Sequence, residues 1–143
     1  MSKILIDTSF LYALADPFDN QRTEALQVAN SISPYDTLIV PDVVLTEVTY
    51  LIGRFVSFRA VLTFLDVVAI SDMKVLPTVK ADIQRAKEIM ETHADTRLTF
   101  VHCCMMAMAE RLNITRIFTF SHRDFEYVQP KHCERYELLA EQP

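Results

Sequence analysis

Glycine is nearly missing: Gly53 is the only one in 143 residues. A phosphate-cradling loop or a dinucleotide turn needs several glycines in a short stretch, so nucleotide cofactors held that way are excluded. Cysteine is scarce as well. Cys103, Cys104 and Cys133 are odd in number, two of them are adjacent, and no C-x-x-C pair occurs, which excludes a disulfide framework. His102-Cys103 and His132-Cys133 match the spacing of no closed zinc module. The thiols read as free, buried or half-buried groups in a reducing compartment. No apolar run approaches a membrane span; the charge-free stretch Thr99–Ala109 is too short and contains His102. The opening residues, MSKILIDTSF, carry no signal-peptide pattern. These absences predict a soluble, cytoplasmic protein with no membrane partner.

Positive charge is also short, with a net charge of −5. Strong non-specific binding to nucleic acid needs Lys and Arg to neutralise phosphates and is disfavoured. A nuclease is not excluded, because a metal-holding site concentrates carboxylates. Half the residues are hydrophobic and no tract is low in complexity, so a substantial core in one domain over residues 1–143 is expected.

What is present is an alternation. Short apolar runs fit strands at Lys3–Ile6, Thr37–Val40, Lys74–Leu76, Arg116–Phe120 and Tyr136–Leu139. Between them lie helical stretches: TSFLYALA, Asn20–Ile32, a helix capped by Asp42 to about Phe55, one capped by Ser57 to about Ile70, Val79–Thr92, and one capped by Thr99 to Leu112. Strands of about four residues alternating with longer helices predict a three-layer α/β/α sandwich around a parallel sheet. Ligands of such sheets bind beyond the carboxyl ends of the strands.

Asp7 directly follows the first strand, where it either caps the next helix or lines the rim of a site. Glu47 lies along the apolar stripe Val44, Val48, Leu51, Ile52 and Phe55. A carboxylate there needs an Arg, a metal or the open rim of a cleft, or else reaches water at the edge of the stripe. Asp95 precedes the Thr99 helix, and Asp124 lies beyond the fourth strand; each also reads as an ordinary loop acid. Met105, Met106 and Met108 read as packing against the sheet.

Three segments in order, ILIDTSFLYALAD, VLTEVTYLI and HADTRLTFVHCCMMAMAERLNITRIFTFSHRDF, resemble a PIN domain of the VapC toxin type. The resemblance covers almost the whole chain. It implies a ribonuclease in which three or four acids hold one or two Mg²⁺ or Mn²⁺ ions, a homodimer, and a small antitoxin covering the cleft. Asp7 and Glu47 fall on the first two acids, Asp95 on a frequent supporting acid, and Ser9 where a hydroxyl often stands near the metal.

Two positions depart from the family. Its third motif usually reads Ser, apolar, apolar, Asp; here Thr99-Phe100-Val101-His102 puts His102 in place of the acid. Its fourth motif has an acid just after the strand; here Ser121 or His122 takes that place, with Asp124 close behind. His102 then serves as a metal ligand or a base, with Mn²⁺ favoured over Mg²⁺ because imidazole suits it better. Alternatively the site has decayed into a module that binds RNA or protein. Thr99, Ser121, His122 and Asp124 are expected to line the cleft, and Arg97 and Arg123 to hold RNA phosphates.

Overall fold

A computed structural model describes residues 2–139. The element order is β1 (Lys3–Ile6), α1 (Thr8–Ala15), α2 (Arg22–Asn30), β2 (Thr37–Pro41), α3 (Asp42–Phe55), α4 (Phe58–Ile70), β3 (Lys74–Leu76), α5 (Lys80–Thr92), α6 (Phe100–Leu112), β4 (Arg116–Phe118), α7 (His122–Tyr127) and β5 (Glu137–Leu139). All strand pairs are parallel, in the order β3-β2-β1-β4-β5. With its helices the sheet makes the expected α/β/α sandwich. From β1 the chain winds outward through β2 and β3, then returns to the other side of β1 for β4 and β5. The winding therefore reverses between β1 and β4, and a crevice opens beyond their carboxyl ends.

The strands are continuous apolar runs because both faces of the sheet are covered. Ile4, Leu5, Ile6, Ile39, Val40, Ile117 and Phe118 are all buried. α6 is apolar through its middle because it is enclosed there. Cys103 through Ala109 are buried without interruption, packed mainly against α5 and also against α3 and α7. Its methionines fill core space as expected. α5 and α6 are joined by Arg111, whose fork clasps the buried Asp82 at 2.9 and 3.0 Å, and by Arg85, which reaches Glu110 at 2.7 Å.

Several boundaries shift from the sequence reading. β4 ends at Phe118, so Thr119 and Phe120 already belong to the turn. α2 is shorter at both ends, and β5 begins one residue later. Pro41 rather than Asp42 takes the cap position of α3. Asp42 instead binds Thr78 across the sheet end, at 2.6 Å from its hydroxyl and 3.1 Å from its amide. α7 was not foreseen; at six residues it is too short to show a helical period. Among the described residues, no helix is long and apolar enough to cross a membrane.

Candidate functional site

In the sheet register Ile6 pairs with Phe118, so Asp7 and Thr119 emerge side by side from adjacent strand ends. The Asp7 amide continues the ladder, donating to the Phe118 carbonyl at 2.9 Å. Asp7 caps α1, its Oδ1 accepting from the Thr8 amide at 2.8 Å. Its carboxylate is fully buried. Oδ2 accepts from the Thr119 hydroxyl at 2.7 Å, from Ser9 Oγ at 3.4 Å and from His102 Nε2 at 3.0 Å.

His102 stands on the first turn of α6, where Thr99 Oγ1 caps its amide. Its ring rests against Phe125, with centroids 5.0 Å apart. The far nitrogen, Nδ1, lies 2.8 Å from Asp124 Oδ2 on α7. The imidazole thus spans two carboxylates, one inside the fold and one nearer the rim: Asp7 has no exposed side-chain surface, while Asp124 keeps 27 %. Burial disfavours a charged ring here. The hydrogen bond and charge of Asp7, followed by those of Asp124, outweigh it and push the His102 pKa up to about 9.

The other expected residues divide. Ser9 joins the cluster: its Oγ accepts from the Phe120 amide at 2.9 Å. The Ser121 amide donates to Thr119 Oγ1 at 2.8 Å, which places Ser121 beside the cluster through its backbone. His122 turns its Nε2 to the Thr119 carbonyl at 3.0 Å, away from the carboxylates. Glu47 does not join the cluster; it lines a separate open hollow with Asp42, Val43, Thr46 and Val101. Among the described residues it makes no hydrogen bond or ion pair, so its stripe position opens onto a rim. Asp95 is exposed on the turn before α6 and makes no hydrogen bond to Asp7 or His102. Arg97, in the left-handed region at φ 54°, and Arg123 on α7 are exposed and unpaired among the described residues.

Thr119 is the member that sequence reasoning missed. Extending β4 to Phe120 hid it inside a strand; ending β4 two residues earlier makes it the neighbour of Asp7. The thiols take no part. Burial pushes Cys103 up to about 11 and Cys104 up to about 12, which keeps both protonated.

The Mg²⁺ or Mn²⁺ implied by resemblance requires carboxylate lone pairs facing an open position. Here Oδ2 of Asp7 already meets three donors, and both ring nitrogens of His102 face carboxylates. Among the described residues, no three His, Cys, Asp or Glu side chains gather as a metal-holding group. As arranged, these residues do not fit a resident divalent ion.

A second feature lies on the α1–α2–α4 side. A groove of about 520 Å³ is lined by Phe10, Leu11, Leu14 and Phe64, with Arg22 and Arg59 among its walls. Beside it Phe55, Phe58, Leu62, Val67 and Ile70 are exposed, Phe58 by 75 %.

A sequence model of the PIN domain matches residues 4–129. No curated protein matches the sequence. Among solved structures, a sarcin–ricin loop cleaving VapC toxin of Mycobacterium tuberculosis superposes with a TM-score of 0.76 at 22 % identity, over 82 % of this chain and 89 % of that one. VapBC2 from Rickettsia felis, bound to promoter DNA, gives 0.69 at 12 % identity over 95 % and 96 %. DNA-bound VapBC from Salmonella typhimurium gives 0.67 at 16 % over 96 % and 97 %. At these identities the likeness is one of fold.

Proposed function

This chain belongs to the PIN domain family, and on that premise we propose that it is an endoribonuclease of the VapC toxin type, a single cytoplasmic domain acting at the Asp7 centre. One observation carries the reading: Asp7, Ser9, His102, Thr119 and Asp124 converge at the crevice between β1 and β4, where open parallel sheets bind their ligands. Structural likeness to VapC toxins supports it.

The family generally uses divalent metal ions. This chain's own side chains supply charge and a base at the crevice. A phosphodiester would seat between the Asp124 side of His102 and the open hollow at Glu47. The ring, its Nδ1 held by Asp124 near the rim, would set a positive charge beside the phosphate, and water would protonate the leaving oxygen. Glu47, free of protein partners among the described residues, can take the proton of the attacking oxygen. Asp7 orients the ring and balances its charge from behind, as a buried carboxylate does for a catalytic imidazole. Arg97 and Arg123 would hold flanking phosphates.

The PIN folds in the VapBC complexes above support a small antitoxin as the partner. The groove lined by Phe10, Leu11 and Phe64 is the surface assigned to it, and the exposed ridge of α4 to a second copy of the chain.

The test is incubation with structured and single-stranded RNA in EDTA, Mg²⁺ and Mn²⁺, beside Asp7→Asn. Cleavage should fall by about 10²–10⁴-fold in the variant, the scale of an acid–base contribution. Equal cutting by Asp7→Asn, or no cutting in any condition, would refute the nuclease reading.

A further inference from the structure

We propose that the His102 side chain fills the place of a divalent cation between Asp7 and Asp124, so that this PIN site is charge-balanced without metal. Five observations lead there. Asp7 is completely buried, and a buried carboxylate needs a counter-charge. Its partners are the Thr8 amide, the Ser9 and Thr119 hydroxyls and His102. Among the described residues no Lys or Arg reaches it, so only His102 can bring a positive charge.

Hydrogen-bond counting then fixes the ring's state. Neutral imidazole has one donor and one acceptor nitrogen; the cation has two donors. Here the nitrogens face carboxylate oxygens at 3.0 and 2.8 Å, and because an ionised carboxylate only accepts, two N–H groups satisfy both contacts. A ring carrying both protons has no lone pair for a metal. The ring is also fixed in place by Phe125 on one face and by the Thr99 cap beneath its backbone. Finally, Glu47 and Asp95 do not join Asp7 in a ligand group among the described residues.

His102 therefore supplies the cation that Asp7 and Asp124 require. The consequence is that an acid in its place should create a metal site, because Asp7 and Asp124 would then face each other across a gap with no positive charge.

The experiment is calorimetric titration of the full chain with MnCl₂ and with MgCl₂, in wild type, His102→Asp and Asp7→Asn, with Tm measured in EDTA and in Mn²⁺. Wild type should show no saturable uptake and the same Tm in both. His102→Asp should take up Mn²⁺ saturably and gain a Tm rise that EDTA reverses. Saturable Mn²⁺ binding by wild type that Asp7→Asn abolishes would overturn the proposal. So would a folded His102→Asp that takes up none. Should His102→Asp not fold, ¹⁵N spectra of the wild-type ring decide. Two protonated nitrogens that persist in millimolar Mg²⁺ support it, and loss of either proton overturns it.

The inference rests on the Asp7 centre as the site but not on cleavage. Failure to cut RNA would refute the nuclease reading and leave the titration result standing. Metal uptake by wild type would do the reverse.

Discussion

Raising the pH should loosen α6 and α7 from the end of β1, because one protonated ring ties all three together. The His102 side chain is 13 % exposed and joins Asp7 to Asp124. Burial opposes its charge, but Asp7 and then Asp124 overcome that opposition and raise its pKa from 6.5 to about 9. A group whose pKa is higher folded than unfolded stabilises the fold fully below the unfolded value. That contribution is lost as pH rises through the folded value. The window therefore runs from pH 6.5 to about 9, with a slope of about 1.4 kcal/mol per pH unit and a total of about 3 kcal/mol. Cys103 and Cys104, pushed up to about 11 and about 12, stay protonated throughout. Urea unfolding of wild type and His102→Gln on either side of the window measures the effect. Wild type should lose stability toward high pH, while His102→Gln, already weaker at low pH, should stay nearly flat. Equal slopes for the two proteins, or a ring-proton NMR midpoint near the unfolded value, would refute the reasoning.

Two further outcomes follow from other parts of the fold. Arg111→Ala strands the buried Asp82, which also binds the Val79 amide, between α5 and α6. Breaking a buried pair costs about 3–5 kcal/mol; because Arg111 is 35 % exposed, about 2 kcal/mol is expected in urea unfolding, and a loss within error would show the pair to be ornamental. Phe58→Glu with Leu62→Glu alters only the exposed ridge of α4. Stability should change by no more than about 0.5 kcal/mol per site, while the mass in solution by light scattering falls from dimer to monomer; an unchanged mass would remove the ridge from the interface.

Much of this fold was legible because its strands and longer helices advertise themselves differently. Ile4, Leu5 and Ile6 form an unbroken apolar run that only a strand buried on both faces requires. Val44, Val48 and Ile52 keep a helical period, and all three are buried in α3. Phe55, on the same predicted stripe, is 65 % exposed, since the stripe runs past the edge of the core before α3 ends. Asp7 was identifiable as a candidate from its place at a strand end, and His102 only through the family resemblance. Their partnership was not, because 95 residues separate them and only the folded chain brings them together. Thr119 and α7 were hidden for a local reason. TFSHRDFEY contains too few residues for a period, so nothing in it marks the end of β4 at Phe118 or the helix that aims Asp124 at the ring.

The two ends of the His102 ring make sense only together. Asp7 is buried and needs a positive charge beside it. Histidine at position 102 introduces positive charge, but a cationic ring has two donors and Asp7 satisfies only Nε2. The second donor needs an acceptor on the far side. Asp124, carried onto α7, meets Nδ1 from the opposite side at 2.8 Å. The ring, with a carboxylate at each end, is complete as a hydrogen-bonded unit. Loss of His102 alone would leave the buried Asp7 without its charged partner, and loss of Asp124 alone would leave a ring donor without its acceptor, which is why the three side chains act as one unit.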